Sequence, residues 1–376
     1  MNGRDVLFLS PTFFSYRVPV FEALYSELGE GFAVVGFRHQ GSPNAQLAVS
    51  TGSFPRYLVS GKSWMLTRRH LDGEGTPCSV TWSLELPFLL ARIRPHRVIS
   101  INFNLWTLIS LAMGFPTVVF WEGTQHTERT VGPWRYRLRC WMARRGLGFV
   151  VNGRLSRDYL IQRLGVPDER IFEGGMCPEP PPAWVSRRPR VLDSQTPVRF
   201  LFVGRMIEGK GVRHLLKAVA VLQQRPRQSV GFQLSLLGDG PLRDRYSNLA
   251  RELGVEEHVR FLGHVASGEV WRYYSDAHVF VLPTLQDNWP LVVPEAMSVG
   301  LPILLSNRAG SVPELIREGE NGYSFNPEDH GSLAACMERY LENPDLVSRH
   351  GQRSLELVAP YTPENAARAF LRAIHS

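Results

Sequence analysis

Cysteine is scarce in this 376-residue sequence, and its four copies form no recognisable pattern. Their spacing fits neither a zinc site nor a disulfide framework, so we expect free thiols and no bound metal at Cys78, Cys140, Cys177 and Cys336. A long apolar leader is also missing, because the first apolar run, Val6 to Leu9, is too short for a secretory signal. These absences favour a cytoplasmic protein.

Charged residues are absent from Val98 to Trp121, a stretch long enough to span a bilayer. Polar and helix-breaking residues interrupt it, namely Asn102, Asn104, Gly114 and Pro116. The interruptions favour a buried strand, a helix and a second buried strand over a membrane span.

The sequence does contain short β-like runs that alternate with helical patterns over its whole length. This alternation predicts parallel sheets covered by helices on both faces, and the length predicts two such α/β domains. Strands are expected at Val6–Ser10, Phe32–Gly36, Arg97–Ile101, Thr117–Trp121, Gly148–Val151, Val198–Val203, Gln233–Gly238, Val259–Leu262, Val279–Leu282 and Pro302–Ser306.

Proline and arginine crowd residues 178–197, which we therefore interpret as a semi-rigid linker. It divides an N-terminal Rossmann-like domain, residues 1–177, from a C-terminal Rossmann-like domain, residues 198–358. Residues 359–376 are expected to form a helix that packs back on the N-terminal domain. Ligands are expected in the cleft that the linker spans, at the carboxyl ends of both sheets.

Positive charge is concentrated in the first half of the sequence. Up to residue 190 there are 23 Lys and Arg against 14 Asp and Glu, and after it 19 against 21. The basic half should face an anionic partner, but no helix-turn-helix, zinc or single-strand aromatic signature indicates nucleic acid.

Aromatics and arginines at helical spacing in residues 134–145 fit a helix with one solvated face, or alternatively attachment to anionic lipid at the inner face of the membrane.

Three loops after predicted strands carry the chemistry of the second domain. Gly204 ends one strand and is followed by Arg205 and Lys210, two cations suited to a diphosphate, unless they are simply solvated. The closing Gly-Lys-Ser/Thr of a nucleotide-hydrolase phosphate loop is missing. Gly238 and Gly240 follow the next strand, where they either admit a ligand to the backbone or form a plain turn.

The third loop carries two acids eight positions apart, Asp287 and Glu295. Pro290 opens a helix between them, and the backbone N–H groups of Leu291 and Val292 would favour an anionic oxygen. The two carboxylates suit the hydroxyls of a sugar and a ribose. The alternative is a helix cap and a solvated helix face.

In this order the three loops resemble family 4 of the retaining glycosyltransferases, the glycosyl transferases group 1. The resemblance covers about residues 199–341 and continues through Gly300–Ile303, Gly310–Ile316 and Glu320–Tyr323. It implies the GT-B fold of two facing Rossmann-like domains with an interdomain cleft. It also implies a retaining transfer of sugar, as in polysaccharide biosynthesis. The implied donor is a nucleoside diphosphate sugar, with UDP favoured over GDP, and the implied acceptor is a glycan, a lipid-linked molecule or a small molecule. No metal or other cofactor is required in that family.

The resemblance assigns roles by position. Arg205 and Lys210 neutralise the donor phosphates, and Glu295 holds the ribose. Asp287 addresses the transferred sugar together with the loop that contains Asn288, Trp289, Leu291 and Val292. The family usually has Glu where Asp287 stands, and Asn288-Trp289-Pro290 replaces a glycine-rich loop, which leaves the identity of the sugar open.

The first domain matches the family less well. Tyr16 and Arg17 resemble the acceptor-binding start of exopolysaccharide-type members, although Arg17 could equally cap its own loop. Many relatives place a sugar-contacting His after the strand Thr117–Trp121, where this chain has Glu122, with His126 four residues further on. Both are candidate catalytic residues beside Asp287. Two alternatives remain, namely a sugar-nucleotide epimerase of the same architecture and a catalytically silent relative that binds sugar nucleotides.

Overall fold

The computed structural model describes residues 5–38, 52–69, 75–128, 131–192, 196–225 and 231–376. The chain forms two compact units, the first comprising Met1–Cys177 with Thr362–Ser376 and the second Pro178–Tyr361. Each unit is built around its own parallel sheet.

The first unit contains a seven-stranded parallel sheet with the strand order β3-β2-β1-β6-β7-β8-β9. An antiparallel hairpin, β4-β5, lies in the same part of the chain. The strands are β1 (Val6–Leu9), β2 (Phe32–Phe37), β3 (Arg56–Val59), β4 (Lys62–Arg69), β5 (Gly75–Trp82), β6 (Arg97–Ile101), β7 (Thr117–Trp121), β8 (Phe149–Val151) and β9 (Ile171–Glu173). The helices are α1 (Val18–Leu28), α2 (Glu85–Ile93), α3 (Leu105–Ala112), α4 (Pro133–Arg145) and α5 (Arg154–Leu164).

Helices cover both faces of this sheet, which is why β1, β2 and β7 are buried along their whole length. On one face Trp106 of α3 and Leu90 of α2 pack against β1, β2 and β6. On the other, Phe21 of α1 lies 4.9 Å from Phe8 between ring centroids. The charge-free stretch folds as β6, α3 and β7, and Asn104 caps α3 by accepting from the Thr107 N–H at 2.9 Å.

The second unit contains a six-stranded parallel sheet with the order β12-β11-β10-β13-β14-β15. Its strands are β10 (Val198–Val203), β11 (Phe232–Leu237), β12 (Val259–Gly263), β13 (Val279–Leu282), β14 (Ile303–Ser306) and β15 (Gly322–Phe325). Its helices are α6 (Val212–Gln223), α7 (Arg243–Glu252), α8 (Ser267–Asp276), α9 (Val292–Ser298), α10 (Val312–Leu315), α11 (His330–Glu342) and α12 (Asp345–Val358). Counted within the unit this order is 3-2-1-4-5-6, that of the doubly wound dinucleotide-binding fold.

The Pro/Arg-rich segment is tied to the second unit by its arginines. Arg190 donates from Nη2 to the carbonyls of Tyr274 and Ser275, both at 3.1 Å, and Arg187 donates to the Ser298 carbonyl at 3.3 Å. These contacts place the segment beside the ends of α8 and α9.

The last helix, α13 (Pro363–His375), belongs to the first unit. Phe370 packs against Phe8 and Phe120 at 5.4 and 5.3 Å, on the face of the sheet that α1 also covers. The predicted fold class, two Rossmann-like domains with parallel sheets, is therefore confirmed. Among the described residues, no helix is both long and apolar enough to traverse a lipid bilayer.

Candidate functional site

The second unit brings the predicted donor loops together at one edge of its sheet. Strands β10 and β13 are parallel neighbours, and Phe200 pairs with Val279 in register. The order of the strands reverses at this pair, which is the place where doubly wound sheets bind ligands beyond the carboxyl ends of the strands. The loop after β10 contains Arg205 and Lys210, and the loop after β13 contains Asp287.

These two loops are fixed to each other by backbone contacts. The Gly209 carbonyl accepts from the Leu285 N–H and from the Thr284 hydroxyl, both at 2.9 Å. Gly211 has a φ of 70°, and a Cβ at this position would lie 1.9 Å from the Pro283 oxygen. Only glycine satisfies both conditions, so the loops keep one relative position.

Lys210 and Asp287 form an ion pair across this junction, Nζ to Oδ2. Their side chains are 23% and 16% exposed. The structure thus joins two residues that the sequence placed in separate motifs. Because Asp287 already balances the charge of Lys210, an incoming anion would have to share this cation.

Arg205 differs from Lys210 in its surroundings. Its side chain is exposed, and within the described ranges no acid or carbonyl pairs with it. It lies one residue after Gly204, whose N–H donates to the Leu237 carbonyl at 3.0 Å. Arg205 is therefore an uncompensated cation at the carboxyl end of the central strand.

The glycines after β10 and β11 pack against each other. A Cβ at Gly238, where φ is 131°, would lie 2.0 Å from the Gly204 oxygen. One at Gly240 would lie 2.7 Å from the Met206 oxygen. The close approach of two loops accounts for both glycines, and contact of either with a ligand stays a prediction.

The Asp287 loop also joins the loop after β14. The Asp287 carbonyl accepts from the Gly310 N–H at 2.8 Å, and a Cβ at Gly310 would lie 2.2 Å from the Asn288 oxygen. Three buried polar atoms of these loops lack a hydrogen-bond partner among the described residues: Asn288 Oδ1, Trp289 Nε1 and Ser311 Oγ. Sequence reasoning missed Ser311, although it follows a glycine after a buried strand.

Helix α9 begins at Val292, and Leu291 is its N-terminal flanking residue. The Pro290 carbonyl accepts from the Val293 N–H at 3.0 Å, so the proline does open the helix. Leu291 and Val292 are half-buried. They lie on the same chain segment as Asp287, between the two predicted acids.

Glu295 projects from the first turn of α9 and accepts a hydrogen bond from the Tyr274 hydroxyl at 2.9 Å. Burial raises the pKa of the Glu295 carboxyl to about 7, the Tyr274 hydrogen bond opposes that rise, and the charge of Glu179 adds to it. Burial also raises the pKa of Tyr274 well above its usual value, so this hydroxyl remains a donor. Tyr274 lies on α8, and no sequence motif indicated it.

In the first unit the structure joins Arg17 to Glu122. Arg17 lies just before α1, and its Nη2 is 3.2 Å from both Glu122 oxygens. Asn102, after β6, donates to Glu122 Oε2 at 3.2 Å and accepts from the Glu122 N–H at 3.1 Å. The carboxyl ends of β6 and β7 and the start of α1 therefore form one polar cluster.

The other two predicted residues of this unit flank the cluster. Tyr16 is half-buried, stacks on Phe14 at 5.2 Å, and has its pKa raised by burial. The Arg17 guanidinium lies 5.4 Å from the Tyr16 ring. His126 is exposed and lies in a turn where the Thr127 N–H donates a hydrogen bond to the Thr124 carbonyl at 3.2 Å.

Most of the second unit matches a known protein family. Residues 187–356 match the family Glycosyl transferases group 1. An uncharacterized glycosyltransferase of Methanocaldococcus jannaschii is 32% identical over 143 residues, 38% of this chain and 35% of the relative. The putative colanic acid biosynthesis glycosyltransferase WcaL of Escherichia coli is 31% identical over 188 residues, 48% of this chain and 45% of the relative. The group 1 match thus lies in the second unit, and the matched segments span less than half the length of these relatives.

Solved structures resemble the chain over nearly its whole length. The lipopolysaccharide outer core galactosyltransferase WaaB superposes with a TM-score of 0.72 at 16% identity, covering 98% of this chain and 99% of WaaB. Anabaena HepE in complex with UDP and glucose superposes with a TM-score of 0.70 at 14% identity, covering 97% and 98%. At these identities the likeness shows the fold, which the first unit shares although the group 1 match does not reach it.

Proposed function

We propose that this chain is a retaining glycosyltransferase of the group 1 type. It transfers a sugar from a nucleoside diphosphate sugar, UDP favoured over GDP, to a hydroxyl of a glycan, lipid-linked or small-molecule acceptor. The observation that carries the proposal is the junction of the β10 and β13 loops, where Arg205 is uncompensated and Lys210 faces Asp287. The preference for UDP is supported by HepE, which was solved with UDP and glucose.

The proposed chemistry rests on charge stabilisation at this junction. Departure of the nucleoside diphosphate builds negative charge on its β-phosphate, and Arg205 and Lys210 are the cations that offset it. A well-placed donor of this kind contributes about 3 kcal/mol to the stability of the transition state. Since side chains of the protein supply the positive charge, the proposal requires no metal or other cofactor.

The remaining donor residues fit the same proposal. Glu295, held by Tyr274, binds the ribose hydroxyls, and Asp287 contacts the transferred sugar through the oxygen that Lys210 leaves available. Asn288 and Trp289 offer buried polar atoms without partners for the same sugar. Polysaccharide biosynthesis is the setting we propose for this reaction, by analogy with WcaL, a putative colanic acid biosynthesis glycosyltransferase.

In the first unit, Tyr16 and Arg17 are proposed to contact the acceptor, and Glu122 or His126 to contact the reacting groups. Arg17 and Glu122 neutralise each other at 3.2 Å. Of the two candidates for the catalytic role, Glu122 is half-buried in the polar cluster with Arg17 and Asn102, whereas His126 is exposed. The geometry therefore favours Glu122.

We also propose that α4 attaches a cytoplasmic protein reversibly to anionic membrane. Trp134, Arg137 and Arg144 are exposed at helical spacing on one side of this helix, and Arg145 extends the same surface. Arg139 faces inward instead, where it pairs with Glu128 at 2.7 Å.

The experiment that tests the proposed function is a thermal-shift screen over UDP, GDP, ADP and CDP, followed by assay of donor hydrolysis. A nucleotide at a hundred times its dissociation constant should add about 2.7 kcal/mol to the free energy of unfolding. Stabilisation by UDP with turnover of a UDP-sugar supports the proposal. Stabilisation without turnover of any sugar nucleotide identifies the silent alternative, and no stabilisation by any of the four contradicts the donor site.

A further inference from the structure

Asn152 is a buried amide without hydrogen bonds. It follows β8 directly and is 4% exposed. Neither its Oδ1 nor its Nδ2 has a partner among the described residues, and it is the one described side chain with two such atoms. Burying an amide in this state destabilises a fold, so the position needs an explanation.

Elsewhere in the chain a buried asparagine is fully satisfied. Asn321 is 0% exposed, and its Nδ2 donates to the Leu315 carbonyl at 2.9 Å. Its Oδ1 accepts from the Arg317 N–H at 2.8 Å. The contrast shows that the fold can pair a buried amide, and that it leaves the amide of Asn152 unpaired.

Asn152 lies on the same side of the sheet as the Arg17–Glu122 pair. Trp121 and Val151, the last residues of β7 and β8, are register partners, so Glu122 and Asn152 each follow the end of one of two adjacent strands. A Cβ at Gly175 would lie 2.4 Å from Phe120 and 2.7 Å from Val150, which puts those two side chains on one face. The alternation of side chains along a strand, continued by one residue, assigns Glu122 to the face of Phe120 and Asn152 to that of Val150.

The charges of this cluster are already balanced. Glu122 accepts hydrogen bonds from Arg17 and from Asn102, and its negative charge neutralises the positive charge of Arg17. What stays unpaired is one donor, Arg17 Nε, and the amide of Asn152. A second formal charge would disturb this balance, whereas neutral groups that both donate and accept would complete it.

We propose that Asn152 binds the hydroxyl groups of a neutral sugar or polyol, which serves as the acceptor. Its carbonyl oxygen accepts from one hydroxyl, and its NH₂ donates to the oxygen of the next. The identification of the ligand as the acceptor rests on the proposed function, whereas the hydroxyl-binding site itself is inferred from the first unit alone. Without the ligand the unpaired amide lowers the stability of the fold, and binding of the ligand removes this destabilisation.

The test compares Asn152→Leu with the matched control Asn321→Leu. If the amide of Asn152 is unpaired until a ligand binds, the unfolding temperature of Asn152→Leu should equal or exceed that of the wild type. The substitution replaces an unpaired amide with an apolar side chain of similar size. Asn321→Leu should unfold at a lower temperature, since it breaks two hydrogen bonds. A loss of thermal stability in Asn152→Leu as large as in Asn321→Leu would overturn the inference.

Binding is measured by saturation-transfer NMR with methyl α-D-glucopyranoside, methyl α-D-galactopyranoside and glycerol as probes. We expect the wild type to bind at least one of them and Asn152→Leu to bind it at least tenfold more weakly, with UDP affinity unchanged. Equal binding by the variant, or no binding of any probe by the wild type, contradicts the inference. Failure to bind UDP would contradict the proposed function and leave the result for Asn152 standing.

Discussion

At the scale of single residues, the candidate cations differ in whether the chain already neutralises them. Lys210 faces Asp287 and Arg17 faces Glu122, while Arg205 has no acidic partner in the described part of the chain. A surface arginine without a partner contributes little to stability. Its presence beside the junction of two fixed loops is better explained by an anionic ligand.

Replacing Arg205 with Ala should lower the turnover of a UDP-sugar by roughly a hundredfold while leaving the free energy of unfolding unchanged. Lys210→Ala should lower turnover to a similar extent and also destabilise the chain, because Asp287 loses its partner. Arg272→Ala is the matched control, since that side chain is 73% exposed on α8. Steady-state kinetics and urea unfolding measure both effects. Near-native turnover of Arg205→Ala would remove this residue from the phosphate site.

If Glu295 binds the ribose as we propose, nucleotide binding should depend on pH. Its pKa is about 7 in the folded chain against 4.5 for an ordinary Glu, so the folded state binds more protons between these values. Stability therefore falls as pH rises from about 4.5 to about 7. In the proposed donor site the ribose hydroxyls would donate to the ionised carboxylate, so UDP affinity should rise with pH through the same upper value.

Tyr274→Phe should move the midpoint of that pH profile upward, because it removes a hydrogen bond that favours the ionised carboxylate. UDP affinity from calorimetry between pH 5.5 and 8.5 measures the midpoint. Tyr340→Phe is the control, since Tyr340 is an equally buried tyrosine that bonds to His350 at 2.8 Å. A midpoint unchanged in Tyr274→Phe, or displaced equally in the control, would show that Tyr274 does not orient Glu295.

At the scale of elements, the site depends on how loops from neighbouring strands fit together. The β10 loop touches the β13 loop at Gly211, and the β13 loop touches the β14 loop at Gly310. Each contact is too close for a side chain. Three loops from three adjacent strands are therefore held as one surface by glycines at their contacts.

Gly211→Ala should lower the free energy of unfolding by at least about 1 kcal/mol, since φ is positive and the added methyl group meets a backbone oxygen. Gly209→Ala, in the same loop, has no atom within 4 Å of its Cβ and should stay within about 0.5 kcal/mol of the wild type. Urea unfolding of both variants, followed by UDP titration, checks the expectation. Equal stability of the two variants would mean that the loops are not locked at this point.

The sequence predicted strands that are continuous apolar runs, whatever their length, and it missed strands of mixed polarity, among them the eight-residue β4 and β5. Strands such as Thr117–Trp121 and Val279–Leu282 were predicted to the residue because they are continuous apolar runs between breakers. Strands β3, β9 and β15 have three or four residues with mixed polarity and gave no such signal.

Within the candidate site, spacing could indicate which loops matter but not which side chains meet. Tyr274 lies 21 positions from Glu295, and Arg17 lies 105 positions from Glu122. Such pairs are set by strand order and register, which a single sequence does not specify. Asn152 was missed for a related reason, because an unpaired buried amide is visible only when its surroundings are known.

At the scale of the whole molecule, charge separates the two halves of the chain, with a net charge of +9 up to residue 190 and −2 after it. The exposed surface of α4 combines three arginines with Trp134, whose side chain is in large part accessible. Arginines near an anionic leaflet each contribute about 1 kcal/mol to attachment. If α4 is the membrane contact we propose, those magnitudes predict reversible, salt-sensitive binding.

Cosedimentation with phosphatidylserine-containing and phosphatidylcholine vesicles tests this attachment. Wild type should sediment with the anionic vesicles at low salt and be released at high salt, and a variant with Arg137, Arg144 and Arg145 changed to Glu should not bind. Arg349→Glu, on α12 of the second unit, is the control for a change of charge alone. Absence of binding to both vesicles, or equal binding to both, would withdraw α4 as a membrane contact.

The second unit is proposed to hold a nucleoside diphosphate at the carboxyl ends of β10 and β13. Hydrogen–deuterium exchange of the full chain with and without saturating UDP measures whether these two loops bind the nucleotide. We expect slower exchange in residues 204–211 and 284–296, and little change in α11 and α12. Unchanged exchange in both loops at saturating UDP, or protection confined to other segments, would contradict the claim.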